Sequence, residues 1–193
     1  MKWITKGAIA LLALLLMSPL VMAQEEHGEF GVFADYTRFH NLDNQNFWGA
    51  GARVGFNVNK WAQLEGDMAY DFARNFTTST PGVTGTFSKT SFLILDGFFG
   101  PKIQSGAGPV KVFGTVKGGF ANFQLTDKGV VTGVGNAIVN VPDGNTHFAL
   151  YPGGGIELFA KWIGVRAEIG DMIYWENGSQ HNLRFTIGPQ FRW

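Results

Sequence analysis

Trp48-Gly49-Ala50-Gly51-Ala52-Arg53-Val54-Gly55-Phe56-Asn57-Val58 decides the reading of this chain. In an extended chain successive side chains point to opposite faces. Here Trp48, Ala50, Ala52, Val54, Phe56 and Val58 share one face, while Gly49, Gly51, Arg53, Gly55 and Asn57 share the other. One side is greasy and the other is glycine and polar. The last segment repeats the pattern: Leu183, Phe185, Ile187, Pro189, Phe191 and Trp193 alternate with Arg184, Thr186, Gly188, Gln190 and Arg192. Both runs reach about ten residues, the length a tilted strand needs to cross a bilayer.

Working outward with the same test gives strands near 29–38, 48–58, 62–72, 89–102, 110–122, 148–159, 163–174 and 182–193. Helical spacing is weak throughout this region, and no run after residue 24 is long and apolar enough for a membrane helix. The connections alternate in length. They are short at Asn59-Lys60, at Gln104 to Gly108 and at Ala160-Lys161, and longer at 39–47, 73–88, 123–147 and 175–181. The longest holds the turn formers Asp127, Asn136, Pro142, Asp143, Gly144 and Asn145 and is expected to be a mobile loop. An even number of strands with short turns on one side and long loops on the other predicts an all-β fold, an eight-stranded antiparallel up-and-down transmembrane β-barrel over residues 24–193.

Residues 1–23 read as a cleaved signal peptide: Lys2 and Lys6 precede an apolar run from Ala8 to Leu16, then Ser18, Pro19 and a Val21-Met22-Ala23 ending suit cleavage before Gln24. With Gln24 after the cut, no lipid anchor is expected there. Taking Lys2 and Lys6 from the 15 basic residues leaves 13 against 15 acidic ones, a nearly neutral balance that gives no sign of nucleic-acid binding. The absence of cysteine excludes disulfides in an exported chain, so a large backbone ladder must hold it. With 18 phenylalanines, 27 glycines and only 16% charged residues, the composition is poor for a water-facing surface.

Period two alone does not say which face is outside, since a soluble lipocalin-type barrel has the same period with the faces exchanged. The polar face is too sparse in charge to solubilise an exterior, yet it suits a narrow lumen that cannot hold many bulky side chains. The apolar face also ends in aromatics. Tyr36, Trp48, Tyr70, Phe72, Phe148 and Trp175 lie near the long loops, and Phe99, Phe191 and Trp193 near the short turns, as two interfacial girdles would.

In this layout the chain resembles the small eight-stranded bacterial outer-membrane barrels, the group that includes the membrane domain of outer-membrane protein A. The segments most similar to that family are Phe98-Phe99-Gly100-Pro101-Lys102, Pro152-Gly153-Gly154-Gly155-Ile156-Glu157 and Gly164-Val165-Arg166-Ala167-Glu168. The terminal run containing Phe185, Ile187, Phe191 and Trp193 is similar to the signal read by the barrel assembly machinery, with Trp193 where most members close on Phe. The resemblance implies residence in the cell outer membrane of a Gram-negative bacterium after export. It implies contact with outer-membrane lipid and lipopolysaccharide, and assembly by that machinery. No appended peptidoglycan-binding domain is expected.

Inward parity gathers Asp35, Arg53, Asp67, Asp96, Lys117, Arg166 and Glu168 near mid-height, with Glu65, Lys111, Glu157 and Arg184 expected nearer the ends. Opposite charges in a narrow lumen should pair. Two readings follow: a static polar plug, or, as the resemblance implies, a slowly switching gate. The resemblance also implies a less favoured alternative, a lipid A-modifying enzyme, for which Ser179, His181 and Glu176 fall together in the last long loop; loop polar residues are usually only solvated, so no catalytic residues are expected and the protein is read as a non-enzyme. Four scattered histidines, His27, His40, His147 and His181, give no metal pattern, and no cofactor is expected. Gly118-Gly119 and Gly153 to Gly155 lack the strand-to-helix context and Lys of a phosphate loop and are read as permitting close strand approach. Asp171 falls on outward parity, which calls for either a reach to the head-group layer or a bulge that shifts register. The expected role is structural or surface-interacting, through the four long loops and with an unidentified ligand; a small-solute passage is the alternative.

Overall fold

The computed structural model describes residues 27–40, 44–79, 86–105, 108–132, 145–176 and 178–193. They form β1 (Gly28–Phe39), β2 (Gln45–Asn59), β3 (Ala62–Ser79), β4 (Thr86–Gln104), β5 (Val110–Thr132), β6 (Thr146–Ala160), β7 (Ile163–Trp175) and β8 (Ser179–Arg192). Each strand pairs antiparallel with its sequence neighbour, and β8 returns to β1 from Glu29↔Arg192 to Phe39↔Asn182, closing the barrel. Closure leaves no sheet edge through the wall. The predicted fold class is the observed one, strand for strand. The proposed leader and residues 136, 142, 143 and 144 of the longest loop lie outside the described residues.

The strands are longer at the loop end than alternation predicts. β3 continues to Ser79, paired with Phe87, and β5 continues to Thr132, paired with Thr86. Asp127 is therefore on β5 and not in a loop, facing Thr90 across the ladder. The pairing of β2 with β3 stops at Gly49↔Asp71, and that of β5 with β6 stops at Asn122↔Thr146. The outer parts of β3, β4 and β5 thus rise as a three-stranded blade from one side of the rim. At about 3.3 Å per residue and about 40° of tilt, eight residues beyond Asp71 raise it by roughly 20 Å.

The wall is apolar outside. Val54, Phe56, Leu64, Met68, Val112, Val116, Ile156, Val165 and Ile187 are all exposed, a continuous surface far beyond what a soluble protein carries. Trp48, Tyr70, Phe72, Phe148 and Trp175 are exposed toward the loop end, and Phe99 and Trp193 toward the turn end. Two of the expected girdle residues are less open: Tyr36 leans on Trp48 and Phe191 stacks on Trp162. The turns add two rings that alternation could not place, Trp61 and Trp162.

Local chemistry sets the turns. The Asn59 side-chain oxygen accepts from the main-chain N–H groups of Trp61 (2.8 Å) and Ala62 (2.9 Å), closing the first turn. At Gly155 a Cβ would strike the Ala167 carbonyl and the Phe113 ring, so this glycine does permit close strand approach.

Candidate functional site

The inward positions of the lower and middle barrel carry charge. Glu29 receives Lys102 (3.1 Å) and Lys111 (3.0 Å), and Lys102 also reaches Glu157 (2.5 Å). Arg166 grips Glu65 with both terminal nitrogens, at 2.5 and 2.9 Å. It also contacts Glu157 (3.1 Å) and Glu168 (2.5 Å). Such a fork-on-carboxylate contact is the strongest geometry an ion pair adopts. Lys117 lies 2.6 Å from both Glu65 and Asp67, while Arg53 donates to Glu168 (2.7 Å) and to the Thr186 hydroxyl (2.8 Å). Arg184 completes the network, contacting Asp35 (2.6 Å), Asp67 (3.3 Å) and Asp96 (3.2 Å). Glycines make room for these side chains: a Cβ on Gly49, which lies between Asp35 and Asp71 in the register, would strike the Asp71 carboxylate.

All seven residues expected at mid-height, Asp35, Arg53, Asp67, Asp96, Lys117, Arg166 and Glu168, are buried and belong to this one network. Two of the residues placed nearer the ends sit elsewhere. Glu65 is central, and Arg184 is the hub of the upper network, because strand stagger brings residues distant along their own strands to one height. Sequence reasoning missed Glu29, Lys102 and Asp71. Inward parity carries each of them, Glu29 two residues before Gly31, Asp71 four beyond Asp67 and Lys102 six beyond Asp96, and extending the count along β1, β3 and β4 would have found them.

The buried charges do not balance. Among the described residues, Glu29, Asp35, Glu65, Asp67, Asp71, Asp96, Glu157 and Glu168 face Arg53, Lys102, Lys111, Lys117, Arg166 and Arg184. The surplus is negative and lies at the top of the network. There neither oxygen of the fully buried Asp71 accepts a hydrogen bond from a described residue.

Above Asp71 the lumen changes character. Phe39, Phe47, Phe92, Phe123 and Tyr174, from five different strands, meet as rings, with centroid separations of 5.3 Å for Phe39–Phe47, 5.5 Å for Phe47–Phe92, 5.7 Å for Phe92–Phe123 and 4.8 Å for Phe123–Tyr174. All five are fully or almost fully buried, with Ile94, Met172 and Ala149 packed among them. His147 stands beside Phe123 and Tyr174. At the rim the Arg74 guanidinium lies over the Phe47 ring and donates to the Asn46 carbonyl.

On the outside, Asp171 keeps its outward parity without a register shift. Its carboxylate lies 2.6 Å from His181 Nδ1 and accepts the Asn182 main-chain N–H at 2.9 Å, so its outward placement is met by partners near the rim. The acid beside His181 is thus Asp171 and not Glu176. Among the described residues no hydrogen bond joins Ser179 to His181. No group of three or more His, Asp and Glu among the described residues is arranged to hold a metal ion.

Residues 8–191 match the family model described as outer membrane protein beta-barrel domain. No curated protein sequence matches the chain. Among solved structures it is similar to Ail, the attachment invasion locus protein of Yersinia pestis, in complex with the heparin analogue sucrose octasulfate. The identity is 13% and the TM-score 0.57, over 88% of this chain and 100% of that one. It is also similar to Neisserial surface protein A, with 10% identity and a TM-score of 0.53 over 86% and 97% of the two chains. OprG from Pseudomonas aeruginosa gives 9% identity and a TM-score of 0.51 over 87% and 97%. At these identities the likeness is one of fold.

Proposed function

Since the chain belongs to the outer membrane protein β-barrel domain family and resides in the outer membrane, we propose that it is a closed, non-enzymatic barrel that stabilises the envelope and meets partners through its outer rim. What carries this reading is a lumen filled along its length by its own side chains: ion pairs from Lys111 up to Arg184, then the rings of Phe39, Phe47, Phe92, Phe123 and Tyr174. An eight-stranded cylinder has little room beyond its own side chains, so contact falls to the exterior, where the β3–β5 blade stands clear of its neighbours. Ser179 and His181 are solvated rim groups in this reading. Residues 1–23 are removed on export, and the run holding Phe185, Ile187, Phe191 and Trp193 presents the chain to the barrel assembly machinery.

The test has two arms. Planar-bilayer recordings of the purified barrel should give no steady conductance, and protease applied to intact cells should cut within the β3–β5 blade while leaving the membrane-embedded wall whole. A stable open channel, or a blade resistant on cells yet cut after lysis, would sink the proposal. The gate reading keeps one supporting observation: Arg184 touches three carboxylates, Asp35, Asp67 and Asp96, and so has alternative partners to exchange. Asp67→Asn should then raise the frequency of brief openings.

A further inference from the structure

The outward faces of β7, β8, β1 and β2 form lateral rows. Ile169 pairs with Phe185, Phe185 with Tyr36 and Tyr36 with Trp48, giving one row of bulky side chains. The next row toward the turns contains Ala167, Ile187, Ala34 and Ala50. Large residues over small ones leave a groove of about 580 Å³ in the outer wall, lined by Ala34, Tyr36, Trp48, Ile169, Phe185 and Ile187. At roughly 30 Å³ per heavy atom, the share of one water in the liquid, an acyl chain of about 14 carbons needs about 400 Å³. The groove has room for one such chain.

The row directly above carries three polar residues, Asp171, Arg38 and Asn46, with Leu183 between the first two. Arg38 is exposed, and no hydrogen bond or ion pair joins its guanidinium to a described residue. The acid in the same row does not neutralise it, because Asp171 is engaged by His181 and the Asn182 N–H. The Tyr36 hydroxyl donates to Asn46 Oδ1 at 3.0 Å, which fixes the Asn46 side chain and leaves its amide N–H groups to donate. A cation with no partner among the described residues and an amide donor therefore stand at the head-group end of a slot for one hydrocarbon chain. A cation at that level recognises phosphate.

We infer that this groove docks the phosphorylated, multiply acylated glycolipid of the outer leaflet. One acyl chain lies under Tyr36 and Phe185, and one phosphate lies against Arg38 and Asn46. The inference rests on the proposed reading of a closed barrel whose long-loop end faces outward.

The mature barrel in detergent can be titrated with purified bisphosphorylated lipid A and followed by native mass spectrometry. Heat-modifiable gel migration reports separately whether each variant is a folded barrel. The wild type should hold one lipid A, and Arg38→Ala should weaken it about tenfold, the effect of losing one charge-assisted contact. Dephosphorylated lipid A should bind the wild type as weakly as lipid A binds Arg38→Ala. Ala34→Phe, which fills the slot but keeps the cation, should weaken binding while the barrel stays heat-modifiable. Equal affinity of the wild type and Arg38→Ala would overturn the site, as would equal binding of the dephosphorylated lipid. Phosphatidylglycerol displacing lipid A at equal concentration would overturn the identity of the lipid.

Discussion

The lower and upper halves of the lumen solve the same packing problem with opposite chemistry. Below Asp71, six buried cations and their carboxylates fill the cylinder together with the rings of Phe33, Phe98, Phe113, Tyr151 and Phe159 that the cations lie over; above it, the rings of Phe39, Phe47, Phe92, Phe123 and Tyr174 do so without ion pairs. Buried ion pairs hold only where geometry is good and water is kept away. The aromatic layer lies between the network and the outer solvent, and by excluding water it strengthens every pair beneath it. The two halves are also connected differently. Removing one member of the network leaves several charges unmatched, whereas removing one ring leaves only a cavity.

That contrast can be tested in order of expected effect. Arg166→Met takes from Glu65, Glu157 and Glu168 the guanidinium they share, leaving them only Lys117, Lys102 and Arg53, and should cost the most, about 5 kcal/mol, read as a lowered urea midpoint for the folded barrel in lipid vesicles. Phe123→Ala removes the ring that touches Phe39, Phe92 and Tyr174 and should cost about 3 kcal/mol on the same assay. It should still conduct no steady current, because the charged half remains filled. A loss from Phe123→Ala exceeding that from Arg166→Met would reverse the ranking of the halves. Asp71→Asn should act in the opposite direction, raising stability by about 1 kcal/mol, since it replaces a buried carboxyl that stands among other acids and accepts no hydrogen bond from a described residue. A destabilised Asp71→Asn barrel would mean that the surplus charge is matched by a group outside the described residues.

Within the wall, the chain was readable from its alternation because lipid on one side and a narrow lumen on the other leave each side chain only one acceptable direction. The pairing of Trp48, Ala50, Ala52, Val54, Phe56 and Val58 against Arg53 and its glycines holds residue by residue. Beyond the bilayer that constraint lapses. Phe72, Ala73, Arg74 and Asn75 are all exposed around a register shift between Asp71 and Arg74, so alternation ends there although β3 goes on. The aromatic layer was illegible for a different reason. Phe39, Phe47, Phe92 and Phe123 stand at or near the ends of the segments that alternation outlines, where rings are ordinarily read as girdle residues, and only the parity from Asp35 through Thr37 to Phe39 betrays the inward direction of the first. The height of Arg184 depends on the shear of the closed barrel, a property of eight strands together that no single segment encodes.

The β1–β8 ladder joins the two ends of the described chain: His27 N–H donates to the Trp193 carbonyl at 2.7 Å, and Trp193 N–H donates to that of Gly28 at 3.1 Å. Until this join forms, the sheet is an open sheet with one face lined by carboxylates, ammonium and guanidinium groups. Hydrocarbon would penalise that face by several kcal/mol for each charge it touched. An unsealed intermediate therefore has no stable place at full membrane depth, and entry into the bilayer must be coupled to the zipping of the first strand to the last.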